Sequence, residues 1–147
     1  MSRLGPNEDP APILGEAKRF APAALLAAAR HRVRGLRTLA GEPLEGVARA
    51  WILTATGNPG AVEKSAREAG LDVAGRSIFR DHHWFGAAEV ARERRRAEAA
   101  RATLLLTAKD AVRWPRTESP QGAAVLAVEW EWVCGGPDVE ARVVEGL

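Results

Sequence analysis

The chain has 147 residues, of which 46% are hydrophobic and one is cysteine, and its formal net charge is +2. That length suits a domain with a real core, while the single Cys134 excludes an internal disulfide and a multi-cysteine metal site. The charge is too small to indicate a nucleic-acid partner. The lack of a signal-type N-terminus and of an apolar run of roughly 20 residues predicts a soluble, cytosolic chain without a membrane span.

The first segment of the chain is rich in proline, glycine and charge, which argues against a regular element there. We therefore predict a flexible lead-in over residues 1–20, followed by a single α/β domain over residues 21–147. An alanine-rich stretch predicts a helix over residues 22–31. Alternating arginine and apolar residues then indicate a short exposed strand over residues 32–39.

Three short apolar runs are typical of buried parallel strands, and they cover residues 48–56, 71–79 and 102–107. Two helical segments alternate with them, over residues 59–69 and 86–101. Strand, helix, strand, helix, strand with short connections implies parallel strands with right-handed crossovers, a Rossmann-like βαβαβ centre. The sequence therefore predicts a three-layer α/β fold, with helices packed on a small, mostly parallel sheet of about four or five strands.

The C-terminal part of the chain adds one strand and one helix to this prediction. A helical stub ends near Arg113, and a loop follows it. Apolar and polar residues then alternate over residues 123–133, which is typical of a half-exposed edge strand. Two glycines end that strand, and Pro137 begins a last helix that runs through Val144.

Each of the three buried strands is followed by a polar segment that could carry function: Gly57-Asn58-Pro59, Asp81-His82-His83 and Lys109-Asp110. Carboxyl ends of parallel strands meet at one edge of a sheet, and binding sites of such folds gather there. We therefore expect the three segments to lie together.

The Asp81-His82-His83 segment has three interpretations. A two-metal phosphoesterase would need several further Asp and His ligands, and only His31 remains among the histidines, so this one is disfavoured. In a purely structural interpretation, Asp81 orders the loop and one histidine caps the next helix. In a functional one, a single imidazole faces a cleft, where it orients or protonates a partner carboxylate.

The other two segments are also ambiguous. Lys109 and Asp110 could supply a phosphate contact and an acid, or could simply begin a helix that Thr107 caps. Gly57 and Asn58 could expose backbone N–H groups to an anion, or could belong to an ordinary helix start. The arginine-rich helix is best explained as a solvated surface, because glutamates interleave with its arginines.

Taken in register, the three segments resemble the tetraacyldisaccharide 4′-kinase family of lipid A biosynthesis. That family carries Gly-Ile-Gly-Asn-Pro after a strand, then Phe-Pro-Asp-His-His, then a strand ending in Thr-Glu-Lys-Asp-Ala-Val. The counterparts here are Ala55-Thr56-Gly57-Asn58-Pro59, Phe79-Arg80-Asp81-His82-His83 and Thr107-Ala108-Lys109-Asp110-Ala111-Val112. The resemblance covers residues 30–133, with Thr56 for the usual Ile, Ala108 for the usual Glu, and Val62-Glu63 for a usual Phe pair.

The resemblance implies an ATP-dependent kinase that phosphorylates the 4′-hydroxyl of the lipid A disaccharide precursor. It implies that His82 reaches across a cleft to orient the aspartate base, with Asp81 supporting the loop. By the same resemblance, a substrate and phosphate edge is formed by Gly57, Asn58, Lys109 and Asp110.

The phosphate-binding sequence Gly-x-x-x-x-Gly-Lys-Ser/Thr does not occur in these 147 residues. The resemblance therefore covers only the C-terminal domain of the family. We expect a phosphate-binding half as partner and no activity from the chain alone. ATP and Mg²⁺ follow from the family, and we expect no nucleotide or metal bound to this chain by itself. The alternative is a stand-alone, non-catalytic binding or interaction module derived from that domain.

Three further expectations follow from the resemblance. The chain should be cytoplasmic, and peripheral at the inner face of the inner membrane when it forms part of a full kinase. An aromatic patch of Trp84 and Phe85 should face the partner. His82 should face the cleft edge that it shares with Gly57 and Lys109, whereas His83 should pack or bond within its own loop.

Overall fold

The computed structural model describes residues 8–146 and contains five helices and six strands over that range. In chain order they are α1 (Ala11–Phe20), β1 (Ala28–Arg37), β2 (Pro43–Leu44), β3 (Arg49–Thr54), α2 (Pro59–Glu68), β4 (Asp72–Ile78), α3 (Ala87–Ala99), β5 (Thr103–Thr107), α4 (Ala108–Ala111), β6 (Ala123–Cys134) and α5 (Gly136–Glu145). The chain forms two compact units. The central unit is Val33–Ala127, and the terminal unit combines the chain up to Arg32 with the chain from Val128.

The sheet of the central unit is mostly parallel, with the order β2-β1-β6-β5-β3-β4. β3 pairs in parallel with both β4 and β5, and β5 pairs in parallel with β6. β1 and β2 form an antiparallel pair. The predicted α/β class and the parallel arrangement of the three buried strands are confirmed. The sheet has six strands rather than four or five. β1 overlaps the exposed strand predicted over residues 32–39, and β2 is an additional strand that was not predicted.

Two buried clusters lie on opposite faces of the sheet. Alternate residues of β3 separate between them, so that Ile52 belongs to one cluster and Leu53 to the other. α2 contributes Val62 and Ala66 to the first cluster, and α3 contributes Val90 to the second. Each large aliphatic side chain buried in this way stabilises the fold by about 1.5–3 kcal/mol. Two helices thus cover the two faces, which is the predicted three-layer arrangement.

A buried carboxylate joins α3 to β4. Glu93 is fully buried, and its carboxylate accepts hydrogen bonds from Ser77 and from Arg92 Nε at 3.1 Å. Ser77 also accepts the indole N–H of Trp51 at 3.1 Å. Burial opposes ionisation, but the hydrogen bonds from Ser77 and Arg92 and the charge of Arg96 hold the pKa of Glu93 below its ordinary value. The ionised carboxylate is therefore the form that the folded state favours.

Two N-terminal predictions are wrong. Residues 11–20 form α1 instead of an irregular lead-in, and residues 1–7 lie outside the described part of the chain. A proline in the first helical turn is compatible with a helix, because the N–H groups of that turn have no acceptor within the helix and the N–H that proline lacks is not needed. The predicted helix over residues 22–31 is absent, and β1 begins at Ala28 instead. Alanine's helix propensity is a weak preference, and pairing within the sheet overrides it.

The prediction of an edge strand at the C-terminal end is also wrong. β6 lies between β1 and β5, so the sheet continues on both of its sides. Residues 123–126 of β6 are buried, and the alternation that suggested an edge comes from the residues after them. The two edges of the sheet are formed by β4 and by β2, which has only two residues.

Within the terminal unit, polar contacts fix the end of β6. Arg32 forms an ion pair with Glu131 at 2.5 Å, and the indole N–H of Trp132 donates to Glu140 of α5 at 2.7 Å. α3 is the longest helix in the described range, with 13 residues. Over residues 8–146, every helix is too short or too polar to cross a bilayer.

Candidate functional site

The three polar segments meet where the central strands end. β3 lies between β5 and β4 in the sheet, and all three run in the same direction. Their carboxyl ends therefore lie side by side, with the segment at Gly57 after β3 flanked by the segments that follow β4 and β5. The prediction that these segments share one edge follows from the confirmed parallel order.

Asp110 lies inside this edge rather than on it. Its carboxylate is fully buried and accepts three hydrogen bonds, from the Ala55 N–H at 3.0 Å, Thr54 Oγ1 at 2.9 Å and Thr107 Oγ1 at 2.7 Å. These bonds tie the end of β3 to the end of β5. The sequence led us to expect Asp110 at a ligand-facing edge, and its burial shows that it holds the two strand ends together instead.

The Ala55 carbonyl is the next link. Its oxygen accepts the His82 backbone N–H at 3.2 Å and Arg113 Nη1 at 3.1 Å. Arg113 also lies 3.8 Å from the Asp110 carboxylate and contacts His82 Nδ1 through Nη2 at 3.2 Å. Sequence reasoning missed Arg113. Its spacing of three residues from Asp110, next to a helical stub, was the one available signal.

His82 stands exposed at the end of this chain of contacts. Its backbone is left-handed, with φ +62°, and its side chain is 82% exposed. Asp81 Oδ1 accepts the His82 backbone N–H at 3.0 Å. A Cβ atom on Gly57 would lie 3.2 Å from Asp81 Oδ2, so the turns after β3 and β4 touch there. The structure thus brings together Gly57, Asp81 and His82.

His83 points elsewhere. Its Nε2 lies 2.8 Å from Glu89 Oε2, its ring stacks on Phe79, and 31% of its side chain is exposed. Glu89 also accepts the Gly86 N–H at 2.9 Å, which closes the first turn of α3. The Gly86 N–H, together with the His83 ring, holds the pKa of Glu89 below its ordinary value. His83 therefore serves the start of α3.

The aromatic pair after the histidines is divided. Trp84 is 70% exposed, whereas Phe85 is buried in the cluster beneath α3. The expectation of an exposed two-residue aromatic patch is wrong for Phe85, because its side chain packs in the apolar core. On the neighbouring turn after α4, Val112 is exposed.

The remaining predicted residues begin helices. Asn58 caps α2, as the helix-start interpretation of this segment implies, with its side chain accepting the Ala61 N–H at 3.1 Å. Thr107 likewise caps α4 by accepting the Asp110 N–H at 3.2 Å. Lys109 is exposed on α4. Residues 8–146 include no group of three or more His, Cys, Asp or Glu side chains placed to hold a metal ion.

This arrangement can orient a neighbouring group through a hydrogen bond to His82. It presents an exposed imidazole beside a carboxylate, held by a buried network that keeps the loop in place. Residues 8–146 offer no metal ligand set, and the sequence has no phosphate-binding loop. The exposed His82 imidazole, next to Asp81, is a hydrogen-bonding group at this edge of the sheet.

Comparison with known proteins relates the chain to one family. The family model of LpxK, tetraacyldisaccharide-1-P 4′-kinase, matches residues 7–146. A tetraacyldisaccharide 4′-kinase of Anaeromyxobacter sp. (strain Fw109-5) is 42% identical over 77 residues, which are 52% of this chain and 20% of that protein. A crystal structure of LpxK from Aquifex aeolicus, an "apo" form in complex with ATP, superposes with a TM-score of 0.50 at 15% identity. The superposition covers 87% of this chain and 39% of the Aquifex aeolicus chain. This chain therefore spans well under half the length of both relatives.

Proposed function

This chain belongs to the tetraacyldisaccharide-1-P 4′-kinase family, and we propose that it supplies the C-terminal part of such a kinase. The reaction would be ATP-dependent phosphorylation of the 4′-hydroxyl of the lipid A disaccharide precursor. The observation that carries the proposal is the opposite fate of the two histidines. His82 is exposed at the sheet edge, whereas His83 bonds to Glu89 at 2.8 Å.

In this proposal His82 orients the aspartate base that deprotonates the sugar hydroxyl. Asp81 supports the loop by accepting the His82 backbone N–H at 3.0 Å. Gly57 and Lys109 line the substrate and phosphate edge with the N-terminus of α2, while buried Asp110 holds that edge together.

ATP and Mg²⁺ would be held by a phosphate-binding half outside these 147 residues. The residues described here do not fit the metal, since residues 8–146 hold no cluster of three His, Cys, Asp or Glu side chains placed for it. Mg²⁺ and a loop lysine supply most of the charge stabilisation in phosphoryl transfer. The chain alone should therefore be inactive.

Exposed apolar residues at the same edge support a partner there. Trp84 and Val112 are 70% and 77% exposed, on the turns after β4 and after α4. Both turns flank the end of β3, where the phosphate-binding half would approach. In the full kinase we place this part at the cytoplasmic face of the inner membrane, as a peripheral component.

The test joins this chain to the phosphate-binding half of an active family member. Transfer of labelled phosphate from ATP to the tetraacyldisaccharide acceptor is measured for the fusion, for the half alone and for the chain alone. The proposal expects transfer by the fusion and none by either part. Two outcomes would overturn it: ATP turnover by the chain alone that His82→Ala abolishes, or a well-folded fusion that transfers nothing, as a non-catalytic interaction module would behave.

A further inference from the structure

The geometry points to Arg113 as a positioning residue that holds His82 in a single tautomer, with the ring proton on Nε2 and facing outward. Arg113 Nη2 lies 3.2 Å from His82 Nδ1, within hydrogen-bond distance. Nothing in the resemblance to the kinase family assigns Arg113 a role. The catalytic consequence rests on the proposed function, but the tautomer itself does not.

The tautomer follows from what a guanidinium can do. Arginine has five N–H donors and no acceptor, and it stays protonated in proteins. A hydrogen bond between Arg113 and His82 therefore requires an unprotonated Nδ1 that accepts. The single proton of the neutral ring must then sit on Nε2, and a doubly protonated ring would offer no acceptor for this bond.

Arg113 is itself held firmly. Only 13% of its side chain is exposed, and its Nη1 donates to the Ala55 carbonyl at 3.1 Å. The buried Asp110 carboxylate lies 3.8 Å from the same nitrogen. The Ala55 carbonyl also accepts the His82 backbone N–H at 3.2 Å, so one oxygen anchors both partners. The guanidinium therefore meets the imidazole as a fixed fork rather than a mobile chain end.

The outward N–H remains available to a partner. His82 Nε2 lies 3.7 Å from Asp81 Oδ2, which is longer than a hydrogen bond, and 82% of the side chain is exposed. With Nδ1 bonded to Arg113 and the ring proton on Nε2, the side of His82 that faces outward is a hydrogen-bond donor. It therefore suits a carboxylate acceptor on the partner half and orients that base without replacing it.

The first experiment needs no kinase activity. The ¹⁵N-labelled chain is studied by long-range ¹H–¹⁵N correlation at pH 8, about 1.5 units above the ordinary imidazole pKa. We expect the His82 proton on Nε2 and an Nδ1 resonance displaced by the accepted bond. Arg113→Ala and Arg113→Lys should move that resonance, and Arg116→Ala, an exposed neighbour, should not. A proton on Nδ1 in the unsubstituted chain, or no change in both Arg113 variants, would overturn the inference.

The second experiment measures the catalytic consequence in the fused kinase. Arg113→Ala should lower kcat about tenfold with little change in KM, since misplacement of a positioned group affects the transition state most. In a His82→Ala background the same substitution should cost nothing further, because both changes remove one interaction. Fully additive losses would contradict the positioning role. An inactive fusion would count against the proposed function alone, while the nuclear magnetic resonance result still decides the tautomer.

Discussion

Replacing Asp110 with alanine should destabilise the central unit more than the loss of any surface carboxylate. The side chain is fully buried and accepts three hydrogen bonds that join the ends of β3 and β5. Alanine removes the acceptor and leaves its three donors behind. It also removes the carboxylate that lies 3.8 Å from the Arg113 guanidinium.

The cost can be worked out group by group. The Ala55 N–H is buried and would lose its acceptor, which costs about 1–3 kcal/mol. The Thr54 hydroxyl would lose less, because Thr56 Oγ1 lies 3.1 Å away as another partner. Removing one side of a buried charge pair costs about 3–5 kcal/mol in comparable sites. These losses all come from one carboxylate and therefore overlap, so we do not add them. We expect about 3–5 kcal/mol for Asp110→Ala and about 1–3 kcal/mol for Asp110→Asn, which keeps one oxygen.

Urea unfolding followed by circular dichroism and tryptophan fluorescence measures this directly. For an m-value of about 2 kcal/mol/M, Asp110→Ala should lower the midpoint by about 2 M. Asp72→Ala is the matched control, since its pair with Arg49 at 3.3 Å is exposed and should be worth about 0–1 kcal/mol. If the free energies of unfolding of Asp110→Ala and Asp72→Ala differ by less than about 1 kcal/mol, the hydrogen bonds of Asp110 do not hold the edge together.

Three further substitutions test the local packing and electrostatics. The pKa of Glu93 is lowered in the folded state, so the stability that the ionised carboxylate contributes is present at neutral pH and is lost as the pH falls through that pKa. In acid titrations, the free energy of unfolding of Glu93→Gln should therefore decline less steeply below about pH 4.3 than that of the unsubstituted chain. Gly75→Ala should cost about 1–3 kcal/mol in urea unfolding, because its Cβ would overlap the Trp51 ring, and an unchanged midpoint would refute this. His83→Ala should cost about 1–2 kcal/mol by losing Glu89 and ring stacking, and a melting temperature equal to that of the unsubstituted chain would argue against that role.

The sequence predicted best where local signals and chain order suffice. The buried runs of β3, β4 and β5 alternate with helices, and that order alone implies parallel strands whose ends share an edge. Asn58 before a proline identified the start of α2, since capping is a local interaction. The three polar segments could therefore be predicted to share an edge without knowledge of any particular distant contact.

The failures come from contacts between distant residues. The alanine-rich segment before β1 favours a helix locally, and only its pairing in the sheet makes residues from Ala28 onward a strand. Asp110 was expected at the substrate and phosphate edge. Its burial could not be foreseen, because the Thr54 hydroxyl and the Ala55 N–H that it binds come more than fifty residues earlier in the chain. The contact of Arg113 with His82 could not be foreseen for the same reason, since the two residues lie 31 positions apart in sequence.

The most direct test of the central claim compares two substitutions in the fused kinase. kcat and KM for phosphate transfer to the tetraacyldisaccharide acceptor are measured for His82→Ala and His83→Ala, each checked for folding by circular dichroism. The account predicts that His82→Ala lowers kcat about 10²-fold with KM little changed, because an orienting group acts mainly in the transition state. His83→Ala should leave kcat within about threefold once its lower stability is allowed for. Equal losses of kcat, or a larger loss for His83→Ala, would contradict the assignment of His82.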